Sequence, residues 1–275
     1  MLTITIGLYE QVTGHIKNLK NSVNSRPRLD ILLVEKGIVQ SRERAQALIM
    51  SGNIMVNGFK IDKAGTRVDQ DSEITVKGDD IPYVSRGGLK LEKALRDLKL
   101  DITGMTCLDI GASTGGFTDC LLQSGASEVY AVDVGYGQLA WSLRQDPRVH
   151  VIERTNIRFM DFEVIGKKMD LVTIDTSFIS LKLVVPASEK FMKKDTLVLA
   201  LIKPQFEAGK ERIGKKGVVR DPAVRHKIVE EIELFFRQRG YETGEIIESP
   251  VKGPKGNIEF ILSMRYGIRL LNKNQ

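Results

Sequence analysis

Between Leu89 and Met264 the chain switches repeatedly between two hydrophobic periods, and this alternation limits its fold more than any other feature. Apolar runs of strand length, Thr106–Ile110, Glu128–Asp133, Val149–Ile152, Leu171–Asp175 and Leu197–Ile202, alternate with helical spacing over Leu89–Leu98, Gly116–Gln123, Leu181–Met192 and Ala223–Arg239. Strands apolar on both sides need cover on both sides, and helical crossovers make their neighbours parallel. The expected architecture is α/β, with a mostly parallel sheet. At the end Gly244–Glu248 and Ile258–Met264 follow one another with no helix between, which predicts an antiparallel edge and seven strands in all.

Before Leu89 the pattern is different. Leu29, Leu32, Leu33 and Val34 are spaced for a short amphipathic helix ending at Gly37, and Ser41 caps a second from Arg42 to Met50, closed by Gly52. Asn57-Gly58 between two β-prone runs is a hairpin signal, and Ile74–Val76 adds a strand. We expect a flexible extension over 1–25, a small α+β module over 26–77, a linker over 78–84, the α/β domain over 85–268 and a tail over 269–275.

Composition excludes several classes. With 42% hydrophobic and 28% charged residues the chain is globular, and its longest apolar run, Leu197–Ile202, is far short of the ~18 residues a membrane span needs. The first residues lack the pattern of a secretory signal, so a soluble, cytoplasmic protein without a stable membrane partner is expected. Cys107 and Cys120 cannot build a disulfide framework, and His15, His150 and His226 lack zinc spacing, so no metal is expected. The net charge of +6 is concentrated in two places. Arg26, Arg28, Arg42, Arg44 and Lys60 mark one; Lys210, Arg212, Lys215, Lys216 and Arg220 mark the other, and Arg86 lies between. These are candidate RNA contacts; two solvated faces with no partner are the plain alternative.

The segment Asp109-Ile-Gly111-Ala-Ser113-Thr114-Gly115-Gly116-Phe117 leaves a strand and opens a helix, so backbone can approach a ligand at the carboxyl edge of the sheet. Asp133, at the end of the next strand, can accept hydrogen bonds from both ribose hydroxyls of a nucleoside. A dinucleotide site uses G-x-G-x-x-G with amides aimed at a pyrophosphate. Here the spacing is G-x-x-x-G-G, and Asp109 is an awkward neighbour for phosphate but suits an amine-bearing ligand. The pattern favours S-adenosylmethionine over a dinucleotide or a merely structural turn. Asn156 is placed to meet adenine, with an ordinary turn residue as the other reading.

The strand ending at Asp175 brings a carboxylate to the same edge, but without the N-P-P-Y-like tetrapeptide common in amine and base-nitrogen methylases. Cys107 and Cys120 read as buried small residues, not as nucleophiles for cytosine C5. Oxygen methylation remains, and a hydroxyl needs a base. A lysine serves if desolvation and a second cation lower its pKa from roughly 10.4. Lys203 leaves an apolar strand into Pro204, and Lys90 follows Ser85-Arg86-Gly87-Gly88. With Asp175 and Glu259, which is flanked by Ile258 and Phe260, they would alternate cation and anion; each alone also has a plain surface or edge-strand reading.

The motifs Ser85-Arg-Gly-Gly-Leu-Lys90-Leu, Asp109-Ile-Gly-Ala-Ser-Thr-Gly-Gly116, Ile174-Asp175-Thr-Ser-Phe-Ile-Ser-Leu181 and Lys203-Pro-Gln-Phe-Glu207 resemble, in this order, those of the TlyA family. The resemblance covers residues 26 to 268 and implies a Rossmann-like, FtsJ-like methyltransferase domain preceded by an RNA-binding domain of the ribosomal-protein-S-four type. It further implies a K-D-K-E tetrad on Lys90, Asp175, Lys203 and Glu259, with donor contacts around Gly111, Ser113, Gly115, Gly116 and Asp133; Thr114, Phe117, Asp109, Asn156 and Asp175 join these as candidates. The implied reaction is 2′-O-methylation of cytidine in large-subunit and, for some members, small-subunit rRNA, by an enzyme for which a monomer is the favoured state. A non-catalytic ribosome-assembly factor and a membrane-active haemolysin, a name many members carry, are the alternatives.

Overall fold

In the computed structural model the described residues are 26–39, 41–50, 52–77, 81–209, 214 and 217–267. The extension over 1–25, Gly78–Asp80 of the linker and the tail over 269–275 lie outside them. The chain divides into two units at Asp80/Ile81. Ile81, Tyr83 and Val84, read from sequence as linker, pack into the core of the second unit.

In the first unit, helices α1 (Leu29–Glu35) and α2 (Arg42–Met50) cover a sheet of order β2-β1-β3, formed by β1 (Ile54–Val56), β2 (Phe59–Ile61) and β3 (Ile74–Val76). Leu29, Leu32 and Leu33 share one helical face and bury themselves against Ala45, Leu48, Ile49 and Ile54. Asn57 and Gly58 join β1 to β2 with φ of 49° and 79°, both left-handed, as a tight hairpin turn requires. Asp30 is fully buried in the first turn of α1. Its carboxylate accepts hydrogen bonds from Arg28, Arg42 and Gln46, and the Arg28 guanidinium above all holds it well below the usual carboxylate range.

The second unit starts with α3 (Gly87–Asp97) and continues through β4 (Thr106–Ile110), α4 (Gly116–Gln123), β5 (Glu128–Val132), the short α5 (Trp141–Arg144) and β6 (Val149–Ile152). Then come β7 (Met169–Ile174), α6 (Leu181–Ser188), β8 (Met192–Ile202), α7 (Pro204–Glu207), α8 (Pro222–Gln238), β9 (Tyr241–Glu248) and β10 (Phe260–Tyr266). Within the described residues they form a seven-stranded sheet of order β6-β5-β4-β7-β8-β10-β9, parallel except for β10, which runs antiparallel to both neighbours. The strands bury side chains on alternate faces: Leu108, Ile110, Val172, Ile174, Val198 and Ala200 under α6 and α8; Cys107, Leu171, Leu197 and Leu199 under α3 and α4.

Several boundaries differ from the sequence reading, most of all around Met192. The helix expected to reach Met192 ends at Ser188, and β8 begins at Met192, well before the apolar run. Met192 pairs with Met169, and Asp195, with φ of 64°, carries the strand through an irregular polar stretch that hides it from a hydrophobic pattern.

Candidate active site

The chain leaves β4 toward β5 and β6 on one side and returns to β7 on the other, so the order reverses between β4 and β7. At such a switch point the loops diverge and leave a crevice at the carboxyl ends of the strands. Here the crevice is a cleft of about 540 Å³ lined by residues that include Gly111, Ser113, Thr114, Gly116, Phe117, Asp175, Lys203 and Glu259.

The floor is set by glycines. A Cβ on Gly111 would stand 2.7 Å from the Asp175 carbonyl oxygen, so only glycine lets the ends of β4 and β7 meet this closely. A Cβ on Gly116 would stand 2.3 Å from Ser85 Oγ and 2.8 Å from Gly88 N. The first turns of α3 and α4 are therefore in backbone contact, which brings Lys90 of α3 into the cleft.

Four charged side chains meet there from four elements. Lys203, just past β8, has its Nζ 2.5 Å from Asp175 Oδ1. Lys90 Nζ stands 3.6 Å from the other Asp175 oxygen and 2.7 Å from Glu259 Oε2. Because β10 runs antiparallel, with Phe260 opposite Ile202, Glu259 arrives at the edge where β8 ends. The result is an alternating Lys203–Asp175–Lys90–Glu259 chain, with Glu259 fully buried and both lysines nearly so. Charges survive burial when each has an opposite partner. Gln205 Nε2 lies 3.4 Å from Glu259 Oε1, and Gly253 packs so tightly on that carboxylate that a Cβ would stand 2.1 Å from Oε1. Ser177 Oγ accepts a 2.9 Å hydrogen bond from Lys203 Nζ. The sequence reading missed Ser177, Gln205 and Gly253; Ser177 and Gln205 stand inside quoted motifs, but no spacing marks their hydrogen bonds.

The remaining candidates separate. Asp109 lies outside the cleft lining: it shares the α4-facing side of its strand with Cys107, is fully buried, and accepts hydrogen bonds from Thr118 and Thr173 at 2.7 and 3.1 Å. Period-two alternation turns it under the loop and away from the cleft, and burial pushes its carboxyl up to about 7. Gly115 caps α4 with φ of 99° against Leu139 and Leu143 and does not line the cleft. Asp133 binds Ser113 N at 2.8 Å and Gly135 N at 2.6 Å, pinning the glycine loop to the end of β5. Asn156 Oδ1 accepts from Arg158 N in an exposed turn and is not among the cleft residues. Burial pushes both cysteine thiols up to about 12, which suits packing and not nucleophilic attack.

Among the basic candidates Arg86 lines the cleft, Arg220 and Lys60 are exposed, Arg44 is half-buried on α2, and Arg26 pairs with Asp69. Arg28 and Arg42 share Asp30. Lys210, Arg212, Lys215 and Lys216 lie outside the described residues. Among the described residues there is no metal-ligand cluster and no helix long and apolar enough to cross a membrane.

Fold and site together define a Rossmann-like methyltransferase. The sequence profile of the FtsJ-like methyltransferases matches residues 83–266, and that of the S4 domain matches 27–74. The chain belongs to the TlyA family, in which an FtsJ-like domain follows an S4 domain. It is 48% identical over 244 residues to the candidate rRNA methyltransferase YqxC of Bacillus subtilis, covering 88% of this chain and 87% of that one. It is 45% identical over 241 residues to the 16S/23S rRNA (cytidine-2′-O)-methyltransferase TlyA of Mycobacterium tuberculosis, covering 87% and 90%. A solved structure of a candidate hemolysin from Streptococcus thermophilus superposes with a TM-score of 0.70 at 43% identity, over 89% of this chain and 90% of that one.

Proposed function

We propose that this enzyme methylates the ribose 2′-oxygen of cytidine in ribosomal RNA, with S-adenosylmethionine as donor. The observation that carries the reading is the alternating Lys203–Asp175–Lys90–Glu259 chain beside the glycine floor. The named activity of the Mycobacterium tuberculosis relative supports it.

The cleft suits the donor. Its volume of about 540 Å³ falls in the range of small-molecule sites, ~300–1,000 Å³. Gly111 and Gly116 keep its floor free of side chains, and Asp133, which is not among the cleft residues, holds the glycine loop from the end of β5. Gly111, Ser113, Thr114, Gly116 and Phe117 would hold the donor beside Asp175. Once bound, S-adenosylmethionine supplies an electrophilic methyl, whose bonding pair stays on sulfur when the sugar oxygen takes the carbon.

The chain's own residues handle the proton. Lys203 in its amine form accepts the 2′-hydroxyl proton as the oxygen–methyl bond forms, and becomes an ammonium against Asp175 at 2.5 Å. Asp175 fixes the amine. Lys90 shares that carboxylate, and Glu259 balances Lys90 without reaching Lys203. Arg28 and Arg42 in the first unit, with Arg26, Arg44, Lys60, Arg86 and Arg220, supply cations for RNA phosphates, which give affinity and register more than sequence selection.

The test is chemical. Ribosomal subunits incubated with the protein and methyl-labelled donor are digested to nucleosides. Label in 2′-O-methylcytidine is the expected result; label on a base, or none on RNA, contradicts the proposal.

A further inference from the structure

The Lys203 amine has a second acceptor besides the carboxylate. Nζ donates to Ser177 Oγ at 2.9 Å while lying 2.5 Å from Asp175 Oδ1, and both partners line the cleft. A neutral amine has two N–H bonds and one lone pair. With Asp175 alone, the amine can turn about its Cε–Nζ bond and aim its lone pair in several directions. With both acceptors in place the two N–H bonds are committed, and the lone pair is left as the remaining direction. We propose that Ser177 is a positioning residue that, together with Asp175, aims the Lys203 lone pair at the substrate hydroxyl; this rests on the assignment of Lys203 as the base.

The backbone around Ser177 is built to keep its hydroxyl in place. The next residue, Phe178, has a φ of 63°, a left-handed conformation that a bulky residue adopts only when its surroundings impose it. Phe178 is 89% exposed, and its ring meets Phe206 at the surface, with centroids 4.8 Å apart. Glu207 then clasps the same segment, accepting hydrogen bonds from Ser180 Oγ at 2.6 Å and Leu181 N at 2.8 Å. Phe206 and Glu207 belong to α7, the turn that follows Lys203 directly. The loop bearing Ser177 and the turn bearing Lys203 are thus joined by two polar links, the amine–hydroxyl bond and the carboxylate clasp. The geometry fixes the direction in which the amine can take a proton.

The test measures single-turnover methyl transfer from labelled S-adenosylmethionine to ribosomal subunits, using the full chain. Ser177→Ala should lower the maximal rate by about 10- to 100-fold, the scale of a misaimed reacting group, and leave half-saturating concentrations within about twofold. Ser177→Thr, which keeps the hydroxyl, should restore most of the rate. A Ser177→Ala rate within about twofold of the parent, a change confined to half-saturation, or a Thr variant no faster than Ala would each overturn the proposal. Lys203→Ala, run alongside, separates the two levels. If it is as active as the parent, the base assignment fails and Ser177 with it. If it is inactive while Ser177→Ala is fully active, only the role of Ser177 falls.

Discussion

Asp109 and Asp30 are both fully buried carboxylates, and their surroundings drive them in opposite directions. Asp109 has two threonine hydroxyls and no cation, so desolvation dominates and it holds its proton up to about pH 7. An unfolded Asp titrates near ~4, so the native state binds this proton more tightly. The contribution is complete below about pH 4 and is lost as pH rises through 7, at up to about 1.4 kcal/mol per pH unit. Asp109→Asn, which mimics the neutral acid, should therefore flatten the stability profile between pH 5 and 7. Urea melts at several pH values check this, and parallel curves for parent and variant would show that Asp109 does not titrate there. Asp30 has the opposite sign: the cations beside it lower its pKa, so its contribution is present above the unfolded value and is lost in acid. Asp30→Ala should destabilise the first unit by about 2–3 kcal/mol, because Arg28, Arg42 and Gln46 lose a shared acceptor. Denaturation of that unit followed in the intact chain measures it.

At the scale of elements, what sequence could reveal depended on period. The alternation of apolar runs made the parallel sheet legible, and the missing helix before Ile258 exposed the antiparallel pair. That same antiparallel entry brings Glu259 to the edge where β8 ends, within reach of Lys90. The ends of the tetrad were harder to read, since Lys90 and Glu259 are 169 positions apart and meet through helix packing that no local pattern encodes. Asp109 shows the limit from the other side. A motif places a residue in a segment, but the pleat decides which face it takes. Glycine at 116 is the element-scale counterpart, because it lets α3 and α4 touch. Gly116→Ala should force these helices apart and carry Lys90 out of register. Transfer should drop at least about tenfold while the fold persists, as circular dichroism and labelled-methyl counting would report together. Full activity would mean that Lys90 tolerates displacement.

The whole molecule joins a methyltransferase unit to an S4-type unit that carries the Arg28 and Arg42 candidates. Phosphate contacts release counterions, so binding to ribosomal RNA should weaken steeply with salt. Replacing Arg28 and Arg42 together by Ala should lower the slope of log affinity against log salt by about two, roughly one per lost contact. An unchanged slope would remove these arginines from the interface. In the first unit the sequence shows a short domain pattern and a run of cations, Arg26, Arg28, Arg42 and Arg44, followed by a stretch richer in acids. In the second unit the proposed chemistry is proton transfer from a sugar hydroxyl to the Lys203 amine at one strand end. Its most direct measurement is the 2′-O-methylcytidine content of ribosomal RNA after single turnover with the parent and with Lys203→Ala, alongside donor and subunit binding for both. The prediction is loss of the methylated nucleoside with both bindings intact; near-parental methylation by Lys203→Ala would contradict it.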